Sequence, residues 1–169
     1  MTKELENTFL DGIELNKEKL HRICSVYATD RETTKDLFQE VLIAIWESMP
    51  NFKNKSSLGT WMFRVTLNVC LRFKDKNGKK QSKTMRMDSI MIANIKETEV
   101  DEVQNEQLIS LRKCIKSLNE ADRAVITLYL EELPYKEISN ILGLTENTIA
   151  VKIKRIKSKL LNCINKKLW

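Results

Sequence analysis

Leu133 to Lys159 reads LPYKEISNILGLTENTIAVKIKRIKSK, two short helical patterns that meet at Gly143. Ile138, Ile141 and Leu142 fall on one apolar stripe at helical spacing. Pro134 suits a first helical position, where a missing amide costs nothing. Gly143 can take the left-handed backbone that ends a helix, and the Thr145 hydroxyl can cap the next one. This is the pattern of a helix-turn-helix, whose second helix lies in the DNA major groove. From Asn147 to Trp169 there are seven Lys or Arg and no Asp or Glu, so that second helix carries a basic face. The bland reading of the same stretch is two packed helices with a solvated basic surface.

Composition agrees with a nucleic-acid binder. The chain has 169 residues and a net charge of +6, with a sequence pI of about 9.1. Such a length allows one domain or two small ones. With only 4 Gly and 2 Pro among abundant Leu, Ile, Lys and Glu, an all-α chain is expected. The longest purely apolar run, Val41 to Trp46, is far too short to span a bilayer, so no membrane insertion is expected. The start, MTKELENTFL, has no apolar signal core, which argues against export and for a cytoplasmic location.

Nothing in the residues argues for catalysis, and no cofactor is implied. Cys24, Cys70, Cys114 and Cys163 lie more than forty residues apart, without a CxxC, and His21 is the only histidine. A zinc site needs clustered ligands, so no metal is expected. Each cysteine stands among apolar neighbours, and buried reduced thiols are the expectation for all four. There is no glycine-rich phosphate loop and no nucleophile elbow.

Charge divides the middle of the chain. Arg72 to Arg86 holds seven basic residues against Asp75, whereas Asp88 to Glu106 holds six acids against Lys96. Asn77-Gly78 is a turn dipeptide. A hydrophilic linker between two small helical domains follows, with weak helix allowed within Asp88 to Ile95. Boundaries of 1–78, 79–106 and 107–169 describe this division.

Before the linker, Leu5, Phe9 and Ile13 predict a short helix, and Leu20, Ile23 and Tyr27 a second. Thr29 and Glu32 have capping-box spacing. The next helix buries Leu37, Phe38, Val41, Leu42, Ile45 and Trp46 and is stopped by Pro50, and its other side shows Asp36, Gln39, Glu40 and Glu47. After the polar loop Asn51 to Ser57 comes a helix of about Leu58 to Phe73. Its apolar stripe is Leu58, Met62, Val65, Val69 and Phe73. Thr60, Arg64, Asn68 and Arg72 form a polar ladder on another side. Such a ladder either tracks a phosphate backbone or is an ordinary solvated face.

Three stretches together resemble an alternative sigma factor of bacterial RNA polymerase, of the extracytoplasmic-function (ECF) type. Asp36-Leu37-Phe38-Gln39-Glu40-Val41, then Trp46, resembles the D-L-x-Q-E-V stretch of sigma region two. Phe52 to Trp61, then Arg64 and Asn68, resembles the family's F-x-G-x-S-x-x-x-T-W-x-x-R-x-x-x-N. Tyr135 to Ile138, Leu142 to Leu144 and Asn147 to Ile149 resemble sigma region four. The resemblance covers roughly Leu20 to Lys76 and Leu108 to Leu160.

The resemblance implies partners and roles. Asp36, Gln39 and Glu40 match the family's face that docks on the clamp helices of core RNA polymerase. Phe52, Lys53, Asn54 and Lys55 match the loop that captures a base flipped from the minus-ten element. Arg64, Asn68 and Arg72 match the helix facing the melted single strand of promoter DNA. Trp61 either wedges against bases at the edge of the melted region or fills the core, and core filling is favoured. Thr148 and Lys152 match phosphate contacts, and Ala150, Val151, Lys154 and Arg155 match the side of the minus-thirty-five helix that enters the upstream duplex. An anti-sigma factor is a further partner the resemblance allows.

Two departures from the family pattern bear on this. Asn54 stands where the family often has Gly, and Asn tolerates left-handed angles, so the loop is expected to keep its turn. Ala150 and Val151 replace frequently polar positions, so no family promoter can be copied onto this chain. An exposed Val between a capping turn and two cations suits contact with a thymine methyl beside a guanine, while the bland reading is a tolerated surface residue. Two other classes of function compete: a helix-turn-helix regulator with a ligand-sensing helical domain, and a helical interaction module whose basic tail is merely solvated.

Overall fold

Helix formers interrupted by few breakers give a chain whose described residues, 2–75 and 106–168, are almost entirely α-helical in the computed structural model. The chain divides into two units, Met1–Glu99 and Val100–Trp169.

In the first unit, α1 (Lys3–Tyr27) is one helix of 25 residues where the sequence predicts two short ones. Glu14 to Lys19 joins the two apolar stripes without a breaker, and Lys17 pairs with Glu14 at 3.1 Å. Gly12 sits mid-helix because the helix carrying Leu58 and Met62 comes close: a Cβ there would lie 2.6 Å from Met62 Cε and 2.7 Å from Leu58 Cδ2. Asp30, not Thr29, caps α2 (Arg31–Ser48), its carboxylate accepting the Thr33 amide at 2.7 Å. A carboxylate at that end also meets the positive pole of the helix dipole. Pro50 falls in a short 3-10 helix, Met49–Asn51, which buries Met49.

Helix α3 (Leu58–Asp75) packs against both α1 and α2. Contact with two helices widens and turns its buried face, which is Met62, Phe63, Thr66, Leu67, Val69 and Cys70. The expected stripe is corrected accordingly, since Leu58, Val65 and Phe73 are only half-buried. Thr60, expected on the polar ladder, is buried, and its hydroxyl accepts from Ser57 Oγ at 2.9 Å. Phe9, Ile13, Leu20, Ile23, Leu37, Phe38 and Ile45 complete the core. Within it, Phe9 meets Trp46 edge-on with centroids 5.0 Å apart.

The second unit contains α4 (Glu106–Lys116), α5 (Glu120–Leu130), α6 (Tyr135–Leu142) and α7 (Glu146–Leu168). Asn119 caps α5 by accepting the Asp122 amide at 2.9 Å. The buried Arg123 closes the end of α4, donating to the carbonyls of Lys116 at 2.7 Å and Leu118 at 2.8 Å. Gly143 has φ +70°, and its amide and that of Leu144 both donate to Ser139 O, ending α6 as the sequence predicts. Pro134 is the capping residue with extended ψ, one position before the first helical residue where it was expected. Thr145 caps α7, accepting the Thr148 amide at 3.1 Å. Ile149, Ile153, Ile156 and Leu160 are buried, the expected core side of α7.

The cysteines divide into two pairs. Cys24 and Cys70 are buried free thiols within interaction range of each other. Cys114 of α4 and Cys163 of α7 form a disulfide, which corrects the expectation of four reduced thiols. Their separation of 49 residues hides a pairing that α4–α7 packing creates. Residues 79–105 of the expected linker, with Asp88 to Ile95, lie outside the described residues. No helix among those described is long and apolar enough to cross a membrane.

Candidate nucleic-acid interface

The loop before α3 is built around a turn that the sequence encodes locally. Asn54 has φ +57°, the left-handed backbone expected from Asn in a glycine-like position. Lys53, Asn54 and Lys55 are exposed at its tip. Ser57 then starts α3, accepting the Thr60 amide at 3.1 Å on its hydroxyl and the Trp61 amide at 3.1 Å on its carbonyl. This fixes Trp61 beside Phe52, with ring centroids 5.1 Å apart and planes inclined at 43°.

Both residues are half-buried. Trp61, for which core filling is the favoured expectation, packs its indole against Phe52 and is neither fully buried nor exposed. Arg64, Asn68 and Arg72 are exposed and follow Trp61 at helical spacing along the same side of α3. An aromatic pair thus heads a polar and cationic row. That combination offers a base a stacking surface and its backbone a charged track.

On α2, Asp36 and Gln39 are exposed, and Glu40 is half-buried. The neighbouring Leu37, Phe38 and Val41 are in the core. Burial of one side of the helix leaves these polar groups as an outward face.

Helix α7 presents Val151, 52% exposed, with Lys154 and Arg155 also exposed. Ala150 is half-buried. Thr148 is too, and its hydroxyl lies 2.8 Å from that of Thr145. Three other cations of α7 are engaged within the unit. Lys152 Nζ is 3.6 Å from Asp122 Oδ1, and Lys159 Nζ is 3.1 Å from Asp122 Oδ2. Lys157 donates to the Tyr129 hydroxyl at 2.7 Å and lies 4.6 Å from the centroid of that ring.

Sequence reasoning missed Asp122. The segment from Asn147 onward contains no acid, yet α5 delivers one to it from 37 residues before Lys159. The only trace in the sequence is that Lys152 and Lys159, seven apart, share one side of a helix. Asp122 is 5% exposed. Burial by itself pushes its carboxyl up, but the hydrogen bond from Lys159 and the charges of Lys159 and Lys152 outweigh it and hold the group below the ordinary carboxylate value.

The sequence and fold have counterparts among known proteins. Residues 13–80 match the family described as sigma-70 region 2, and residues 108–160 match sigma-70 region 4. The ECF RNA polymerase sigma factor SigW of Bacillus subtilis is 24% identical over 92% of this chain and 88% of its own length. The ECF RNA polymerase sigma-E factor of Escherichia coli is 26% identical over 75% of this chain and 71% of its own. Among solved structures, CnrH in complex with the cytosolic domain of CnrY superposes with a TM-score of 0.67 at 17% identity, covering 95% of this chain and 90% of that one. The sigma factor RpoE of Bartonella quintana, in complex with the anti-sigma factor NepR, gives 0.65 at 17% identity over 97% and 98%. These two likenesses concern the fold.

Proposed function

The chain belongs to the ECF sigma factors, non-enzymatic initiation factors that bind core RNA polymerase and direct it to promoters, and we propose how its residues divide that work. Residues 1–78 dock on polymerase and open the minus-ten element, 107–169 hold the minus-thirty-five element, and 79–106 tether the two. The observation that carries this division is the Phe52–Trp61 pair heading the row Arg64, Asn68 and Arg72. A flipped base costs stacking and pairing energy, and an aromatic wall recovers part of it. Lys53, Asn54 and Lys55 close the loop around that base, and the row on α3 follows the melted strand.

Asp36, Gln39 and Glu40 form the polymerase-docking face. In the second unit, Ala150, Val151, Lys154 and Arg155 enter the major groove while Thr148 and Lys152 face phosphates. Val151 favours a thymine methyl, with Lys154 or Arg155 on a neighbouring guanine. The protein acts in the cytoplasm, where polymerase and chromosome are. Its fold relatives were solved with CnrY and with the anti-sigma factor NepR, which supports a regulator of the anti-sigma kind here. A helix-turn-helix regulator or a plain interaction module gives the α3 surface no role.

The test is capture of core RNA polymerase by the full chain, followed by open-complex formation on promoter DNA. Failure to bind core polymerase would overturn the assignment of residues 1–78. Binding without melting would overturn the role of the aromatic pair.

A further inference from the structure

After Glu146, helix α7 carries no acid of its own in sequence, yet two of its lysines converge on one buried acid. Asp122 presents Oδ1 to Lys152 at 3.6 Å and Oδ2 to Lys159 at 3.1 Å, and Asn119 Nδ2 approaches at 3.4 Å. A carboxylate bridging two ammonium groups occupies them much as a phosphate would. Lys154 and Arg155, by contrast, are exposed on the same helix and make no ion pair among the described residues.

We propose that Asp122 is a built-in counter-charge that restrains sequence-independent DNA binding by the second unit and so leaves recognition to Val151, Lys154 and Arg155. The proposal rests on the reading of α7 as the DNA-entering helix. General affinity for duplex DNA comes from Lys and Arg releasing counterions as they neutralise phosphates, and each such contact steepens the salt dependence. A lysine already neutralised by Asp122 releases fewer counterions and must break its ion pair before it meets a phosphate. The side chains of Lys152 and Lys159 are 21% and 55% exposed, so both reach solvent if released. Asp122 therefore governs how many cations the helix offers, without itself approaching DNA.

The experiment measures the affinity of the full chain for a random-sequence duplex as a function of salt, by fluorescence anisotropy. Asp122→Asn is expected to steepen the slope of log affinity against log salt by about one and to raise affinity roughly 5- to 10-fold near 0.1 M salt. Glu120→Gln, an exposed site on the same helix, adds the same net charge without releasing a lysine. Equal effects of the two substitutions would reduce the result to net charge and overturn the proposal. In the Asp122→Asn background, Lys152→Gln should lower the slope by about 0.9, and with Asp122 in place by less than half of that. If Asp122→Asn does not fold, the native chain decides: Lys152→Gln must cost less than half the slope lost in Lys154→Gln, and equal losses overturn the proposal. A wild-type slope near zero would instead refute the DNA-binding reading of α7 itself.

Discussion

The rings of Phe52 and Trp61 lie 5.1 Å apart at 43°, one from the loop before α3 and one from its first turn. Each fixes the other, and removing either exposes the remaining face. Phe52→Ala should weaken open-complex formation by about 1–3 kcal/mol, the range for base–aromatic stacking. The loss should fall mainly on duplex promoter and much less on a template already mismatched around the minus-ten element. Permanganate reactivity of the melted bases measures both. Equal melting by wild type and a well-folded variant would remove the stacking role.

Polymerase docking should respond to α2 substitutions that leave folding alone. Asp36 and Gln39 are exposed, so Asp36→Ala with Gln39→Ala should shift Tm little, as surface changes are usually within about 0.5 kcal/mol. Affinity for core polymerase should fall at least several-fold. Glu40 is half-buried and serves this test less cleanly. Unchanged affinity in the folded double variant would move the docking face elsewhere.

The Cys114–Cys163 bridge ties α4 to α7 across 49 residues. In the chain-entropy account, closing a loop of that size stabilises the folded state by about 4 kcal/mol. Thermal melts with and without a thiol reductant should therefore differ for the second unit, and Cys114→Ser with Cys163→Ser should remove the difference. Cys24 and Cys70 carry no bridge, so the first unit should melt alike under both conditions. A second-unit transition insensitive to reductant would show that the bridge does not form in solution.

Acid should loosen the second unit through Asp122. Its folded-state pKa lies below the ordinary carboxylate value, so the stability it contributes is complete above about pH 4 and is lost as pH falls through the lowered value. Urea melts of wild type and Asp122→Asn should converge in that acidic range and separate above it. A constant difference at all pH values would mean that the ion pairs contribute nothing.

How much of this was legible follows from the range of the physics involved. The helix-turn-helix could be read directly, because Gly143 at φ +70° and Thr145 as a cap act within a few residues of where they stand. Asn54 was legible for the same reason, a local backbone requirement met by a local residue. The core side of α7 followed from 3.6-residue periodicity, since a single stripe of isoleucines can face only one way.

The sequence by itself determined the helices, their caps and turns, and the basic character of the last one, all set by interactions between residues close along the chain. Tertiary structure decided the rest. It turned the buried face of α3 between two neighbours. It also set Trp61 against Phe52, joined Cys114 to Cys163, and placed Asp122 against Lys152 and Lys159. Each of these depends on which helix packs against which. Side chains far apart in sequence meet only when apolar faces are buried together, and no spacing along a single helix records that choice.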